Sequence, residues 1–273
     1  MNPAIVVTGA GSGIGREIAR RAARDGSFML LADVRPGPLA EITAELVAGG
    51  AEAHALAINL LDADAGERIE GALSERNLYC DVLVNSAGLG LYGLAAEIDR
   101  GAQMNLFNVN ARVLTELTLR FLPGMVTRGR GGVLNLGSIA GYSPGPKMAV
   151  YHATKAYVRF FSSALAIEVA GTGVTVTCLI PGIVRTPFLD ALPMRNYLFR
   201  FLPRTNPVDT AEAGWRGFRA GRDVVVPRLS DRIFRALALI LSDRISARLI
   251  HVTQRQQHPS PRQAARSFAD TDN

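Results

Sequence analysis

Lysine is almost absent from this chain. Only Lys147 and Lys155 occur, and arginine supplies the other 28 of its 30 basic residues. Tryptophan occurs once and cysteine twice. Cys80 and Cys178 fall in or beside apolar segments, where they read as buried free thiols rather than a disulfide or redox pair. The four histidines (His54, His152, His251, His258) are scattered, and no spacing of metal-ligand residue types occurs, so no metal site is expected. The first residues lead directly into a strand pattern, with no basic start and no apolar signal core, which implies a cytoplasmic protein. Basic residues are spread along the chain and thicken only towards its C-terminus. Despite a net charge of +6, a nucleic-acid partner is therefore not expected.

What is present is a globular composition, 48% hydrophobic over 273 residues, with glycine and proline spread rather than clustered. Short apolar runs at 4–8, 28–32, 53–58, 81–85, 132–136, 174–180 and 223–226 read as strands. Helix-period stretches lie between them: one after residue 13, then 38–47, 63–76, 103–128, 149–170 and 211–220. Unbroken apolar strands alternating with helices define an α/β fold, a doubly wound, Rossmann-like parallel sheet of about seven strands covered on both faces. Such sheets bind ligands beyond the C-terminal ends of their strands. The expected organisation is a dinucleotide-binding and catalytic domain over 1–227, an amphipathic helical extension over 228–253 and a mobile tail over 254–273.

The first strand runs into Thr8-Gly9-Ala10-Gly11-Ser12-Gly13-Ile14-Gly15 and then a helix. Glycines there allow a tight turn and close approach of the backbone to a pyrophosphate, whose charge the helix N-terminus favours. Asp33 ends the second strand, where a carboxylate can accept hydrogen bonds from the adenosine ribose hydroxyls and repel a 2′-phosphate. Arg35 and Arg16 lie close by in sequence and carry guanidinium groups able to reach such a phosphate. NAD(H) is the expected cofactor, with NADP(H) as the alternative.

The T-G-x-x-x-G-x-G spacing resembles the short-chain dehydrogenase/reductase family, and further motifs follow in order. Asn85-Ser86-Ala87-Gly88 looks like the family's N-N-A-G segment, with serine in second place. Ser138, Tyr151 and Lys155 match its S…Y-x-x-x-K signature, and Asn110 stands where the family keeps a fourth catalytic residue. Pro181-Gly182-Ile183-Val184-Arg185-Thr186 matches its P-G segment. The resemblance runs from about residue 4 to residue 226. At the adenine edge the chain departs from the usual Asp-Val or Asp-Leu and has Asn59-Leu60. The asparagine carbonyl can still pair with an amino group.

Hydride transfer to a carbonyl needs a proton donor for the developing alkoxide and a group that holds the oxygen. A free tyrosine, with a pKa near ~10, is a poor acid and base at neutrality. Lys155 lies one helical turn after Tyr151, on the same face, where its ammonium is expected to lower the tyrosine pKa. The resemblance implies that Tyr151 donates or accepts the proton, that Lys155 also binds the nicotinamide ribose, and that Ser138 bonds the substrate oxygen. It gives Asn110 a water that relays protons from Lys155. It also implies cofactor contacts at Gly9, Ser12, Gly13, Ile14, Gly15, Asn59, Leu60, Asn85, Ala87, Gly88, Pro181, Gly182, Val184 and Thr186.

Substrate contacts are expected at Ser138, Tyr151 and Phe188. The segment 187–206 (PFLDALPMRNYLFRFLPRTN) reads as an apolar lid with a few cations, which suits a bulky hydrophobic alcohol or ketone; an ordinary packed helix and loop is the competing reading. In the extension, Ile233, Leu237, Ile240, Leu241, Ile245 and Leu249 recur at helical spacing among Arg232, Arg235, Arg244 and Arg248. Three readings stay open: a helix packed on its own domain, a subunit interface, or a basic amphipathic helix making peripheral contact with a membrane. The resemblance implies a homodimer or homotetramer, paired through the helices beginning near Gln103 and Ala149. A non-catalytic dinucleotide sensor or scaffold on the same fold is the alternative to an enzyme.

Overall fold

The apolar runs form seven strands: β1 (Asn2–Thr8), β2 (Phe28–Asp33), β3 (Ala53–Ala57), β4 (Leu78–Asn85), β5 (Gly131–Leu136), β6 (Val174–Leu179) and β7 (Val224–Val225). In the computed structural model, which describes residues 1–192 and 204–253, they make one sheet in the order β3-β2-β1-β4-β5-β6-β7. Every neighbouring pair is parallel. The expected tail at 254–273 and most of the lid, 193–203, lie outside the described residues.

Successive side chains of a strand point to opposite faces, and the core divides accordingly. Val6, Leu30, Leu83 and Val133 pack with Ile69 and Leu73 of α3 (Ala65–Ser74), and with Leu117, Phe121 and Met125 of a helix reaching Arg128. Val7, Leu31, Val84 and Leu134 face the other way, onto α1 (Gly13–Ala23), α2 (Pro36–Ala48) and α8 (Pro207–Arg219). There the single tryptophan, Trp215, is fully buried, and its indole N–H donates to Asp25 at 3.0 Å. Each such buried large side chain contributes roughly 1.5–3 kcal/mol by leaving water. Strand order reverses between β1 and β4, so the loops after these two strands frame the crevice at the switch point.

Two elements differ from the sequence reading. The helix expected at 103–128 begins earlier, as α4 (Arg100–Phe107), capped where Asp99 accepts from the Ala102 N–H at 2.8 Å. It then passes through a π-helical turn, Asn108–Val113, before continuing as α5 (Leu114–Arg128). π-turns recur at functional sites, and this one carries Asn110. After α6 (Ala149–Glu168) and a single turn, α7 (Pro187–Asp190), the chain reaches α8 and the short edge strand β7. The extension is two helices rather than one, α9 (Leu229–Ile240) and α10 (Asp243–Thr253). Leu241 is extended between them, and the Ser242 carbonyl accepts from the Ser246 N–H at 3.0 Å.

Candidate active site

The end of β1 is tied to the end of β4 through one hydroxyl. Thr8 donates to the Val84 carbonyl at 3.3 Å and accepts from the N–H groups of Ser86 (3.2 Å) and Ala87 (3.3 Å). The chain then turns at Gly9, whose φ of +67° favours glycine and whose missing Cβ would stand 2.8 Å from the Ala87 backbone. A Cβ at Gly15 would meet the Gly9 carbonyl at 2.4 Å. Both positions therefore exclude side chains, and the first turn of α1 is drawn tightly under the loop. Ser12 caps this turn without a side-chain bond to it. Opposite lies Thr186, near enough that a Cβ at Gly13 would sit 3.2 Å from its methyl group.

At the far end of the loop, Asp33 is 5% exposed. One of its oxygens accepts from the Gly11 N–H at 2.9 Å, the other from the Arg35 N–H at 2.9 Å and the Arg35 Nε at 3.2 Å. The Arg35 guanidinium also reaches the Ser12 hydroxyl at 2.7 Å. Arg16 is drawn elsewhere, to Glu41 (3.5 Å) and Glu45 (3.7 Å) on α2. Asn59 is exposed, with its side-chain oxygen accepting from the Leu61 N–H at 3.1 Å, whereas Leu60 is buried. The Asn85 side chain faces away from the loop. It donates to Asn135 (2.9 Å) and Thr118 (3.0 Å), and Asn135 continues to Ser162 at 3.0 Å. This buried polar chain ties β4 and β5 to α5 and α6.

The catalytic candidates converge at the C-terminal ends of β4 and β5. Ser138 follows β5 and caps a turn at Ile139–Tyr142, accepting from the Ala140 N–H at 3.1 Å. Tyr151 and Lys155 lie on one face of α6. Burial pushes the Tyr151 phenol above its ordinary value, and a hydrogen bond with Ser138 acts against that rise. Burial lowers Lys155 to about 8. Its ammonium donates to the Leu136 carbonyl at 2.7 Å and lies 5.9 Å from the Tyr151 ring centre. The expected depression of the tyrosine by this lysine is not found: desolvation sets the direction, opposed by Ser138, and the ammonium is directed at a carbonyl.

Asn110 is 1% exposed, and the π-turn aims it at the loop after β4. It accepts from the Leu89 N–H at 2.8 Å and donates to the Leu89 carbonyl at 2.9 Å and to Thr154 at 3.3 Å. Both side-chain amide hydrogens are thus taken by protein groups. A Cβ built at Gly88 would lie 3.4 Å from the Asn110 Oδ1 and 3.9 Å from the Lys155 Nζ, so these groups flank the same stretch of backbone. Phe188 of α7 packs against Tyr151 with ring centres 5.6 Å apart.

Three supporting residues escaped the sequence reading. Thr154 links Asn110 to the Tyr151 carbonyl, which its hydroxyl meets at 2.8 Å. The His152 Nδ1 lies 2.7 Å from the Ser143 carbonyl, and burial lowers its pKa. Asp231, on α9, accepts from the Gly182 N–H at 3.1 Å, so the extension holds the loop after β6. For the first two, the signal is adjacency to Tyr151 and Lys155. For Asp231 no local signal exists, because the contact spans 49 residues. Both cysteines are buried and free.

The family model described as short chain dehydrogenase matches residues 3–195. A sulfoacetaldehyde reductase of Chromohalobacter salexigens is 37% identical over 190 residues, 69% of this chain and 75% of that protein. A serine 3-dehydrogenase of Agrobacterium fabrum is 34% identical over 189 residues, 69% of this chain and 74% of that protein. A short-chain dehydrogenase from Sphingobium yanoikuyae, solved with NADPH, superposes with a TM-score of 0.77 at 26% identity, covering 95% of this chain and 99% of its own. A family member from Burkholderia phymatum, solved with NAD, gives 0.77 at 25% identity over 94% and 97%. The chain belongs to the short-chain dehydrogenase/reductase family, and it is an NAD(P)-dependent oxidoreductase of the alcohol–carbonyl class.

Proposed function

We propose that the chain interconverts a bulky apolar alcohol and its carbonyl compound, with Tyr151 as acid and base, and that it prefers NAD(H). The observation that carries this reading is the placement of Tyr151 between the Ser138 hydroxyl and the Phe188 ring, beside Lys155. The side chains next to Tyr151 are mainly apolar, among them Leu91, Ile98, Leu106, Met148 and Val150, around a crevice with room for little more than a water.

The crevice suits a dinucleotide on its own geometry. The glycine loop excludes side chains beneath it, the α1 N-terminus offers free N–H groups to a pyrophosphate, and Asp33 stands at the ribose end. Gly9, Ser12, Gly13, Ile14 and Gly15 would hold the phosphates; Asp33, Asn59 and Leu60 the adenosine. Ala87, Gly88, Lys155, Pro181, Gly182, Val184 and Thr186 would hold the nicotinamide half. Bound there, the cofactor supplies or accepts the hydride.

In reduction, the Ser138 hydroxyl holds the carbonyl oxygen and the Tyr151 hydroxyl donates its proton to it. Lys155, brought to about 8, holds a proton that it can release near neutrality, and so can restore the tyrosine. Asn110 fixes the Leu89 backbone beside the lysine. Oxidation runs the same proton path in reverse. The preference for NAD(H) follows from Arg35, whose charge is bound to Asp33, and Arg16, whose charge is bound to α2, so neither guanidinium is left for a 2′-phosphate.

The test is a parallel titration of the purified chain with NADH and NADPH by nicotinamide fluorescence, followed by a turnover screen. Tighter NADH binding, weakened at least tenfold in Asp33→Ala, is expected; tighter NADPH binding overturns the cofactor preference. Tyr151→Phe should lose turnover by three or more orders of magnitude and still bind NADH. Full activity in that variant refutes the assignment. The screen sets bulky apolar alcohols beside sulfoacetaldehyde and serine, and turnover confined to the polar pair removes the apolar reading.

The exposed apolar side chains of α4, α5 and α6, including Phe107, Leu119, Phe160 and Ile167, support a homo-oligomer built on that face.

A further inference from the structure

An amphipathic helix on a globular domain ordinarily buries its apolar side. In the C-terminal extension the arrangement is reversed. α9 meets the domain through polar groups: Asp231 bonds the Gly182 N–H, the Arg232 Nε donates to the Val226 carbonyl at 3.0 Å, and the Arg235 guanidinium lies 5.8 Å from the Tyr142 ring centre. Helical spacing then turns Leu229, Ile233, Leu237 and Ile240 outward, where they are 70, 54, 55 and 82% exposed. α10 repeats the pattern, with Ser246 buried and Ile245, Leu249 and Val252 exposed. Scattered exposed leucines are ordinary, but a continuous stripe of this kind marks a contact surface.

The charge beside the stripe identifies the partner. Several surface arginines of the domain are paired, Arg20 with Glu45, Arg21 with Glu212, Arg112 with Glu116, Arg120 with Glu70 and Arg130 with Asp81, while others, among them Arg24, Arg100 and Arg222, are exposed without an ion pair to any described residue. Arg232, Arg235, Arg244 and Arg248 make no ion pair with any described residue. Arg232 and Arg235 face the domain, so the uncompensated cations left beside the apolar stripe are the exposed Arg244 and Arg248 of α10. In a two-fold dimer the same patch meets itself, which would bring these arginines together. A bilayer with anionic headgroups accepts both features, acyl chains against the stripe and phosphates against the guanidinium groups. No helix of the described residues is long and apolar enough to cross a membrane, so the contact lies in the interface plane.

We propose that α9 and α10 are a docking surface for an anionic lipid bilayer. Because α9 rests on the turn after Ser138 and holds Gly182, the docked face lies beside the catalytic crevice. The proposal does not depend on the catalytic reading.

Flotation of the purified full chain with vesicles tests it, using phosphatidylcholine alone against a mixture with phosphatidylglycerol. The expected result is at least tenfold stronger association with the anionic vesicles, weakening as salt is raised. Arg244→Gln with Arg248→Gln should reduce association by about fivefold per arginine. Leu237→Ser with Ile240→Ser should abolish it, with unchanged circular dichroism and thermal midpoint. Equal association with both vesicle types, or none, overturns the proposal. So does a Leu237→Ser/Ile240→Ser variant that splits an oligomer in the absence of lipid, because a second copy is then the occupant. None of these readings uses turnover, so a failure of the catalytic assignment leaves them intact.

Discussion

Two lysines serve the whole chain, and one of them is buried beside Tyr151. Burial brings Lys155 from an ordinary 10.5 to about 8, a difference equivalent to about 3 kcal/mol between its charged and neutral forms. The sign of the effect on stability follows from proton uptake. Between about pH 8 and 10.5 the unfolded chain holds a proton on this lysine that the folded chain has released, so stability rises with pH across that window. Below it both states are protonated and the cost of the buried charge is fully present. Denaturant unfolding of the native chain against Lys155→Met should show the native chain gaining relative stability from pH 8 upward, and a constant difference below. A difference that does not change with pH would show the lysine to be solvated.

At the scale of elements, the loop after β6 joins the two halves of the site. Its Pro181 carbonyl accepts from the Ile139 N–H at 2.9 Å beside Ser138, and its Thr186 lies against the glycine loop. Asp231 reaches this loop from α9, although burial pushes its carboxyl up and the Gly182 N–H acts against that rise. A hydrogen bond to a charged group is worth roughly 1.5–3 kcal/mol, less where solvent screens it, so Asp231→Ala should weaken NADH binding about tenfold. Asp231→Asn retains an acceptor and should recover much of the loss. Unchanged NADH affinity in Asp231→Ala would mean that the loop holds its shape without α9.

At the scale of the whole molecule, the described residues leave two apolar surfaces uncovered, and they differ in charge. The face of α4, α5 and α6 carries Arg112 already paired with Glu116, and Tyr157 bonded to Thr115 at 2.8 Å. A neutral apolar face of this sort suits a second copy of the chain. Phe160, 66% exposed on α6, is the side chain to test. Phe160→Glu should shift the native mass in light scattering to that of a smaller species and leave the monomer folded. A mass that is the same in both proteins would place the subunit contact elsewhere.

The order of the elements, the parallel sheet and the positions of Ser138, Tyr151 and Lys155 were all legible from local spacing. Unbroken apolar runs, helix-period stretches between them and a four-residue interval on one helix are properties of neighbouring residues, and these survive folding unchanged. The break in the extension also had a local sign, since Leu-Ser-Asp-Arg occurs at 229–232, where α9 begins, and again at 241–244, where α10 begins. Other features depended on partners distant in the chain. Asn85 reads as part of a cofactor motif, yet its amide is held by Asn135, 50 residues on. Arg35 reads as a free cation, yet Asp33 neutralises it. Asn110 is turned inward by a π-turn that no periodicity announces. Periodicity shows which residues of a helix share a face but not which face turns outward. For α9 the tertiary structure alone decided that, because Gly182, Val226 and Tyr142 offered its polar side a better partner than the core offered its leucines.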